Sequence, residues 1–265
     1  VESIIKNPKV KAVTLTGSKP AGSAVASVAG SEIKKSVLEL GGSNALVVFE
    51  DCNIEEAVKT AVQARFQNTG QSCIAGKRLL LHKNIAEEFT QKFVEEVRKL
   101  KSGDPADEET FIGVMARADL AEELHEQLTK SVKQGAVILV GGKRDGAYFE
   151  PTVVTDVTPS MPIFKEETFG PVIGITTFKN EDEAVYLVNS SNFGLGVSIF
   201  TEDFEKAKKL IPLFDDGAVF VNELVKSDPR LPFGGTKISG YGRELSEDGI
   251  KEFVNKKTVY FNSYS

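Results

Sequence analysis

Apolar positions recur along this chain in two rhythms, one near period two and one near 3.6, and they alternate. Val10–Thr16 is a short apolar run closed by Gly17-Ser18, the pattern of a buried strand ending in a tight turn. Gly22–Gly30 is small-residue-rich and compatible with a helix, Val37–Leu40 reads as a strand edge, and Ala45–Phe49 as a clearer strand. Asn53 is placed to cap a helix whose first turn carries Glu55 and Glu56, both favourable at its positive end. Ile54, Ala57, Val58, Ala61, Val62 and Phe66 fall on one face of that helix, which ends before Asn68-Thr69-Gly70.

A second amphipathic helix is predicted from about Ile85 to Lys101, with Ile85, Phe89, Phe93, Val97 and Leu100 facing inward and Gly103 as its stop. A third uses Leu120, Leu124, Leu128 and Val132 and stops at Gly135. After a strand at Ala136–Val140 comes a loop-rich stretch holding Pro151, Pro159 and Pro162. Val172–Phe178, Val197–Thr201 and Ala218–Val221 read as strands, separated by helices at Glu181–Val188 and Glu205–Leu213. This alternation predicts α/β layers around a largely parallel sheet. The end differs: Pro232–Gly242 is glycine-rich, and Lys257–Phe261 has the β-branched and aromatic character of a lone strand needing a sheet edge, for example in another subunit.

Composition narrows the class. The chain has 265 residues, 41% hydrophobic and 26% charged, enough for one large or two small globular domains. A net charge of -6 with interspersed signs predicts no nucleic-acid or acidic-membrane partner. The apolar runs are too short to cross a bilayer, and the start lacks the features of a secretory signal. Two cysteines make no disulfide framework, so a reducing, cytoplasmic setting is expected.

Three positions carry candidate chemistry. Cys73 follows the polar turn Asn68-Thr69-Gly70-Gln71-Ser72, which suggests access, although a lone loop cysteine is more often inert. Glu39 interrupts the apolar Val37-Leu38-Glu39-Leu40; buried there it would be a raised-pKa proton acceptor, while an outward-facing carboxylate is the plainer alternative. Gly17-Ser18-Lys19-Pro20-Ala21-Gly22 joins a strand to a helix, where backbone N–H groups can hold a phosphate, but it lacks the G-x-G-x-x-G fingerprint and can equally be a plain turn. His82 and His125 have no metal-ligand partner nearby in sequence, so metal binding is not expected, and Cys52 reads as structural.

Five ordered blocks bring these positions together. They are Leu15–Gly22, Leu38-Glu39-Leu40-Gly41-Gly42, Gly70-Gln71-Ser72-Cys73, Glu166-Glu167-Thr168-Phe169-Gly170-Pro171 and Pro232–Glu244. In order and separation they resemble the aldehyde dehydrogenase superfamily over essentially the whole chain. The resemblance implies an α/β fold: an aldehyde dehydrogenase-like catalytic domain, a partial Rossmann-like nucleotide-binding domain and a C-terminal oligomerisation strand. Residues 1–39 would belong to the nucleotide domain, 40–238 to the catalytic domain, and 239–265 would return to the cofactor domain and form an oligomerisation tail.

By the same resemblance Cys73 is the nucleophile and Glu39 the base that activates water. Gly17, Ser18 and Gly22 would lie near the pyrophosphate of NAD or NADP, and Leu40 and Gly41 would line the nicotinamide side. Glu167 would meet the nicotinamide ribose and Phe169 the ring region. Phe233 would wall the aldehyde pocket, and Glu244 would sit on a proton path behind Glu39. The stretch Val221–Arg230 resembles succinate-semialdehyde dehydrogenases, which points Arg230 or Ser227 at a substrate carboxylate. A glutamate at position 39 favours hydrolysis to the free acid over transfer to coenzyme A.

The family's asparagine oxyanion donor and ribose-binding lysine lie upstream of these blocks, so the chain is expected to be truncated and inactive or nearly so alone. A homodimer or homotetramer acting on a small aldehyde is the implied whole. Two other readings stand beside it: a non-catalytic assembly or binding fragment, and a residual thiol esterase using Cys73.

Overall fold

The computed structural model describes residues 1–263. It opens with α1 (Glu2–Lys6), β1 (Ala12–Thr16), α2 (Lys19–Ser31) and β2 (Lys35–Glu39), then β3 (Asn44–Val48), α3 (Ile54–Phe66) and β4 (Gly76–His82). Next come α4 (Ala86–Arg98), α5 (Ala118–Lys133), β5 (Val137–Val140), β6 (Arg144–Asp145), β7 (Tyr148–Phe149) and β8 (Thr152–Thr155). The chain continues through α6 (Pro162–Lys165), β9 (Val172–Phe178), α7 (Glu181–Asn189), β10 (Phe193–Gly194), β11 (Val197–Phe200) and α8 (Phe204–Leu210). It closes with β12 (Val219–Val221), β13 (Thr236–Lys237), β14 (Gly240–Tyr241) and α9 (Ser246–Glu252).

The main sheet has seven strands in the order β12-β11-β3-β4-β9-β8-β5. All its pairings are parallel except that of the edge strand β5 with β8. Successive side chains of a strand point to opposite faces, and here each face meets its own helices. Ala45, Val47, Leu80, Val197 and Ile199 join the core under α5 and α7. Leu46, Val48, Leu79, Leu81, Ile173 and Ile175 join the core under α3 and α4. A strand buried on both faces reads as a continuous apolar run, which is why β3, β9 and β11 are visible in the sequence. A smaller sheet, β1-β2-β14, pairs β2 in parallel with β1 and antiparallel with β14.

Most helices form for the reasons their sequences give. Asn53 caps α3 by accepting the Glu56 N–H at 3.2 Å. Phe89, Phe93 and Val97 of α4 are buried, with Ile85 and Leu100 packed at the margin. Gly103 is not the stop of α4; the helix ends at Arg98, and its last turn tightens as the Lys99 and Leu100 N–H groups bond carbonyls three residues back, Glu96 and Val97. On α5 the buried stripe runs through Ser131, whose hydroxyl donates to the Gln127 carbonyl and accepts the Ile163 N–H, so Val132 faces solvent rather than the core.

Two strands of the main sheet lie where none is apparent in the sequence pattern. The central β4 opens with Lys77 and Arg78, which read as surface residues yet are 0% and 1% exposed. Arg78 succeeds there because its guanidinium donates to the Ser43, Leu187 and Val188 carbonyls at 2.7–3.1 Å and stacks over the Phe164 ring. The other, β8, hides behind Pro151. The terminal strand expected at Lys257–Phe261 is not one in this chain: no ladder partner for it exists among the described residues, and Val259, Tyr260 and Phe261 are exposed. A strand requires a neighbour to take its backbone groups, and the described residues offer that segment none. No helix among the described residues is long and apolar enough to cross a membrane.

Candidate active site

The site is built where α3 hands over to β4. After Phe66 the backbone takes three consecutive left-handed residues, Asn68 (φ 54°), Thr69 (φ 54°) and Gly70 (φ 70°). A β-branched residue is costly there, on the order of 1–3 kcal/mol, so Thr69 must be held in place by its surroundings. Its hydroxyl accepts the Gly113 N–H at 3.1 Å, the Asn68 amide donates to the Gln71 carbonyl at 2.9 Å, and Gln71 accepts the Ala116 N–H at 2.9 Å. This tight reversal delivers Cys73 to the start of β4 as a half-buried, free thiol.

Gly70 has no tolerance for a side chain. A Cβ would lie 2.6 Å from the Gly170 carbonyl and 2.4 Å from the Arg65 guanidinium, on a backbone that also disfavours L residues. Gly70→Ala is expected to destabilise the chain by at least ~3 kcal/mol. A thermal melt checks this, and a melting temperature within a degree of the parent's contradicts it.

Buried cations brace the loop. Arg65, 0% exposed, donates to the Gly70 carbonyl at 2.7 Å, to Gly76 and Thr168 at 3.2 Å each, and to Gly170. Lys77, also 0% exposed, donates to the Ser72 and Cys73 carbonyls at 2.9 Å and to Glu167 Oε1 at 3.0 Å. The same Glu167 oxygen accepts the Gly42 N–H at 3.0 Å. Asn44 holds the next residue: its amide donates to the Ile74 carbonyl and accepts the Gly196 N–H. None of Arg65, Lys77 and Asn44 is picked out by sequence pattern. The available signal was the pair of basic residues opening the apolar run Leu79-Leu80-Leu81.

Glu39 ends β2 and is 3% exposed, so the outward-facing alternative does not apply. Neither carboxyl oxygen has a hydrogen-bond partner among the described residues. Burial, then the neighbouring Glu244 carboxylate, push its pKa up to about 8, against an opposing pull from Arg243. Burial also raises the Cys73 thiol; Lys77 pulls it down, while Glu167 and, more weakly, Glu39 push it up. The Cys73 N–H donates to no acceptor among the described residues.

The five sequence blocks converge. Gly42 passes so close that a Cβ would sit 2.5 Å from the Cys73 carbonyl, and one on Gly41 would sit 2.1 Å from Glu167 Oε2. Ser239 pins the same strand end, its hydroxyl donating to the Gly41 carbonyl at 2.7 Å and its carbonyl accepting the Leu40 N–H at 2.9 Å. The Gly17 N–H bonds the Glu39 carbonyl at 3.0 Å, and Ser18 caps α2 through the Ala21 N–H at 3.4 Å. Gly17 and Ser18 are exposed at that helix start, with ordinary clearance around Gly17. Gly22 instead faces inward, where a Cβ would come within 2.7 Å of Leu40; its smallness serves helix–strand contact. Phe169, two residues beyond Glu167 in the chain, is exposed.

Phe233 is buried and exchanges two backbone hydrogen bonds with Glu244, at 2.8 and 2.7 Å. It also lines a cavity of about 360 Å³ together with Val221, Asp228 and Leu231. Ser227 and Arg230 do not line that cavity. Arg230 lies in an exposed loop, its side chain 85% exposed, and forks onto Asp228 with contacts of 2.9 and 2.5 Å.

A family model described as the aldehyde dehydrogenase family matches residues 1–259. The succinate semialdehyde dehydrogenase Sad of Escherichia coli, named for NAD(P)+, is 48% identical over 263 residues, 98% of this chain and 57% of its own length. A succinate-semialdehyde dehydrogenase of Mycobacterium avium, named for NADP+, is 47% identical over 99% of this chain and 56% of its own length. Among solved structures, a succinic semialdehyde dehydrogenase from Streptococcus pyogenes in complex with NADP+ superposes with a TM-score of 0.95 at 35% identity, covering 99% of this chain and 58% of that one. The chain thus spans little more than half the length of these relatives.

Proposed function

Since this chain belongs to the aldehyde dehydrogenase family, we propose that it carries the nucleophile and the base of an NAD(P)-dependent enzyme that oxidises a semialdehyde or hydroxyaldehyde to its acid. The observation that carries this reading is the convergence of a free thiol, Cys73, and a buried, raised-pKa carboxyl, Glu39, on the Gly41-Gly42 crossing. The names of the similar enzymes favour succinate semialdehyde as the aldehyde.

The residues present suit a dinucleotide. The exposed N-terminus of the 13-residue α2, with Gly17 and Ser18, can face a pyrophosphate. Glu167 keeps a partly exposed carboxylate whose Oε2 lies against Gly41, placed to accept a ribose hydroxyl, and Phe169 and Leu40 are assigned to the ring side. When bound, the nicotinamide supplies the hydride acceptor. Gly22 is assigned to packing α2 against Leu40, which sets the reach of that helix start.

The chain's own groups account for the rest. The Cys73 thiol loses its proton, directly or through water, to an ionised Glu39, and its sulfur adds to the aldehyde carbon to form a thiohemiacetal. The free Cys73 N–H is one donor for the resulting oxyanion. Loss of hydride from that carbon leaves a thioester on Sγ. Glu39 releases the thiol's proton outward and, ionised again, takes a proton from water, whose oxygen attacks the thioester carbon; the C–S bond breaks, the acid leaves and the thiolate is regenerated. Glu244, whose charge raises the Glu39 pKa, is assigned to pass those protons outward. Phe233 walls the aldehyde pocket. Ser227 and Arg230 are assigned to a substrate carboxylate, for which Arg230 exchanges Asp228; an exposed pair of that kind is weak and readily exchanged.

We assign residues 1–39 to the cofactor domain and 40–238 to the catalytic domain. Residues 239–265 return to the first, a division supported by the β14–β2 pairing. The exposed apolar tail, Val254 with Val259–Phe261, suits a homodimer or homotetramer interface. A reducing cytoplasm suits an enzyme whose working group is a free thiol. The test is absorbance of reduced nicotinamide with NAD+ or NADP+ and succinate semialdehyde, glyceraldehyde or a plain aliphatic aldehyde. It is run on this chain and on a form extended upstream to the relatives' length. Oxidation in the extended form, fastest with the semialdehyde, is expected; no oxidation of any aldehyde by either form contradicts the reading.

A further inference from the structure

The Lys77 ammonium is enclosed by three acceptors, the Ser72 carbonyl (2.9 Å), the Cys73 carbonyl (2.9 Å) and Glu167 Oε1 (3.0 Å). Three acceptors at hydrogen-bond distance call for three hydrogens, which an ammonium has and a neutral amine lacks. The charge is held without solvent, on a side chain fully enclosed at the start of the central strand β4. Keeping an ammonium there is costly unless each hydrogen finds a partner, and here each does.

We propose that Lys77 is a positioning residue for the Cys73 chemistry: its ammonium ties the Glu167 carboxylate to the cysteine loop and favours the Cys73 thiolate. The proposal rests on the reading of Cys73 as the nucleophile. The two carbonyls Lys77 holds are those of Cys73 and its predecessor, so the lysine fixes the backbone that aims the sulfur. Its third bond goes to the residue assigned to the nicotinamide ribose, so one side chain spans the two reacting partners' seats. Arg65 reinforces the same seam from α3, bonding Gly70 and Gly76 on either side of the cysteine and Thr168 and Gly170 beyond Glu167.

The charges around the pair make the sign definite. Cys73 is faced by Lys77 from β4, Glu167 from the segment before β9 and Glu39 from β2. Lys77 is faced by Glu167, by Arg65 from α3 and by Cys73 itself. Both carboxylates disfavour a thiolate, and Lys77 is the charged side chain among these that favours one. Burial, then Arg65, press the Lys77 pKa down, while Glu167 and a Cys73 thiolate hold it up, so ammonium and thiolate support each other.

The experiment follows the pH dependence of iodoacetamide alkylation at Cys73, read by mass spectrometry of its peptide, in the unsubstituted chain, Lys77→Gln and Lys77→Met. The Cys52 peptide is the internal control, since its thiol is raised to about 11 by burial and by Asp51, not by this cluster. The expected result is a Cys73 midpoint higher by about one pH unit or more, hence alkylation about tenfold slower below it, with Cys52 unmoved. A folded variant with an unshifted Cys73 midpoint overturns the proposal and leaves Lys77 a merely structural cation.

Should neither variant fold, the unsubstituted chain decides. With lysine side-chain nitrogens labelled, the Lys77 Nζ resonance is expected to show a second step at the Cys73 alkylation midpoint, lost in Cys73→Ala, because coupled groups report each other's titration. No second step overturns the proposal. Neither readout needs aldehyde or nicotinamide. A silent dehydrogenase assay with a shifted midpoint therefore counts against the functional reading alone, and an active enzyme with an unshifted midpoint against the role of Lys77 alone.

Discussion

Replacing Cys73 by alanine is expected to abolish aldehyde oxidation, lowering kcat by at least ~10⁴-fold in any form of the protein that turns over. The size follows from the chemistry: without sulfur there is no covalent adduct from which hydride can leave, and water held at the same place is a poor substitute. The fold should not suffer, because Cys73 is half-buried in a loop held by the Lys77, Asn44 and Arg65 contacts to backbone carbonyls rather than by its own side chain. Steady-state assays beside a thermal melt check both halves. Residual oxidation within tenfold of the parent means that another group is the nucleophile, and a large drop in melting temperature means that the thiol is structural.

Glu39→Gln is expected to do two opposite things. In the general-base role proposed for it, Glu39 would be worth roughly 10²–10⁴-fold in the hydrolysis of the thioester, so the variant should release about one reduced nicotinamide per active site and then stall. The limb of the pH–rate profile that rises through about 8 should vanish with it, because that is where the Glu39 carboxyl ionises.

Stability should move the other way. The Glu39 carboxyl ionises near 4.5 when unfolded and near 8 when folded. Below the first value both states are protonated and folding gains in full from the neutral buried group. Between the two, the unfolded chain sheds a proton the folded chain keeps, so stability falls as pH rises, and above 8 the loss is complete. The linkage is at most roughly 5 kcal/mol. Glutamine cannot ionise and escapes that loss. Its melting temperature relative to the parent should therefore climb between about pH 5 and pH 9, by at least ~5 °C. A difference that stays flat with pH would show that Glu39 is charged in the folded protein throughout.

Much of the fold is legible in the sequence where one periodicity acts alone. The inward stripe of α3, the Phe89-Phe93-Val97 face of α4 and the unbroken apolar runs of β3, β9 and β11 each announce their partners. Legibility fails where a tertiary contact reverses the meaning of a residue. Lys77 and Arg78 look like solvent-facing residues, yet each finds enough carbonyl and carboxylate acceptors to be buried at the start of the central strand. Val132 continues a helical stripe that the fold assigns to Ser131 instead. Lys257–Phe261 has strand character without a strand to pair with among the described residues.

The candidate site divides along the same line. Cys73 and Glu39 stand out because a polar turn precedes one and apolar neighbours flank the other, and the resemblance gives them roles. The groups that hold them, Arg65, Asn44, Lys77 and Ser239, act through backbone atoms far away in sequence, and no local pattern marks them. Arg230 shows the converse. An arginine before a glycine-rich block suggests an anion, while its guanidinium is already engaged by Asp228 two residues back.

The central claim is that aldehyde carbon becomes bonded to Cys73 Sγ. It is tested most directly by acid-quenching the Glu39→Gln variant of the upstream-extended form during reaction with succinate semialdehyde and NAD+ or NADP+, then weighing its peptides. The account predicts a succinyl thioester on the Cys73 peptide, in step with the first equivalent of reduced nicotinamide, and an unmodified Cys52 peptide. Reduced nicotinamide formed while the Cys73 peptide stays unmodified would contradict it.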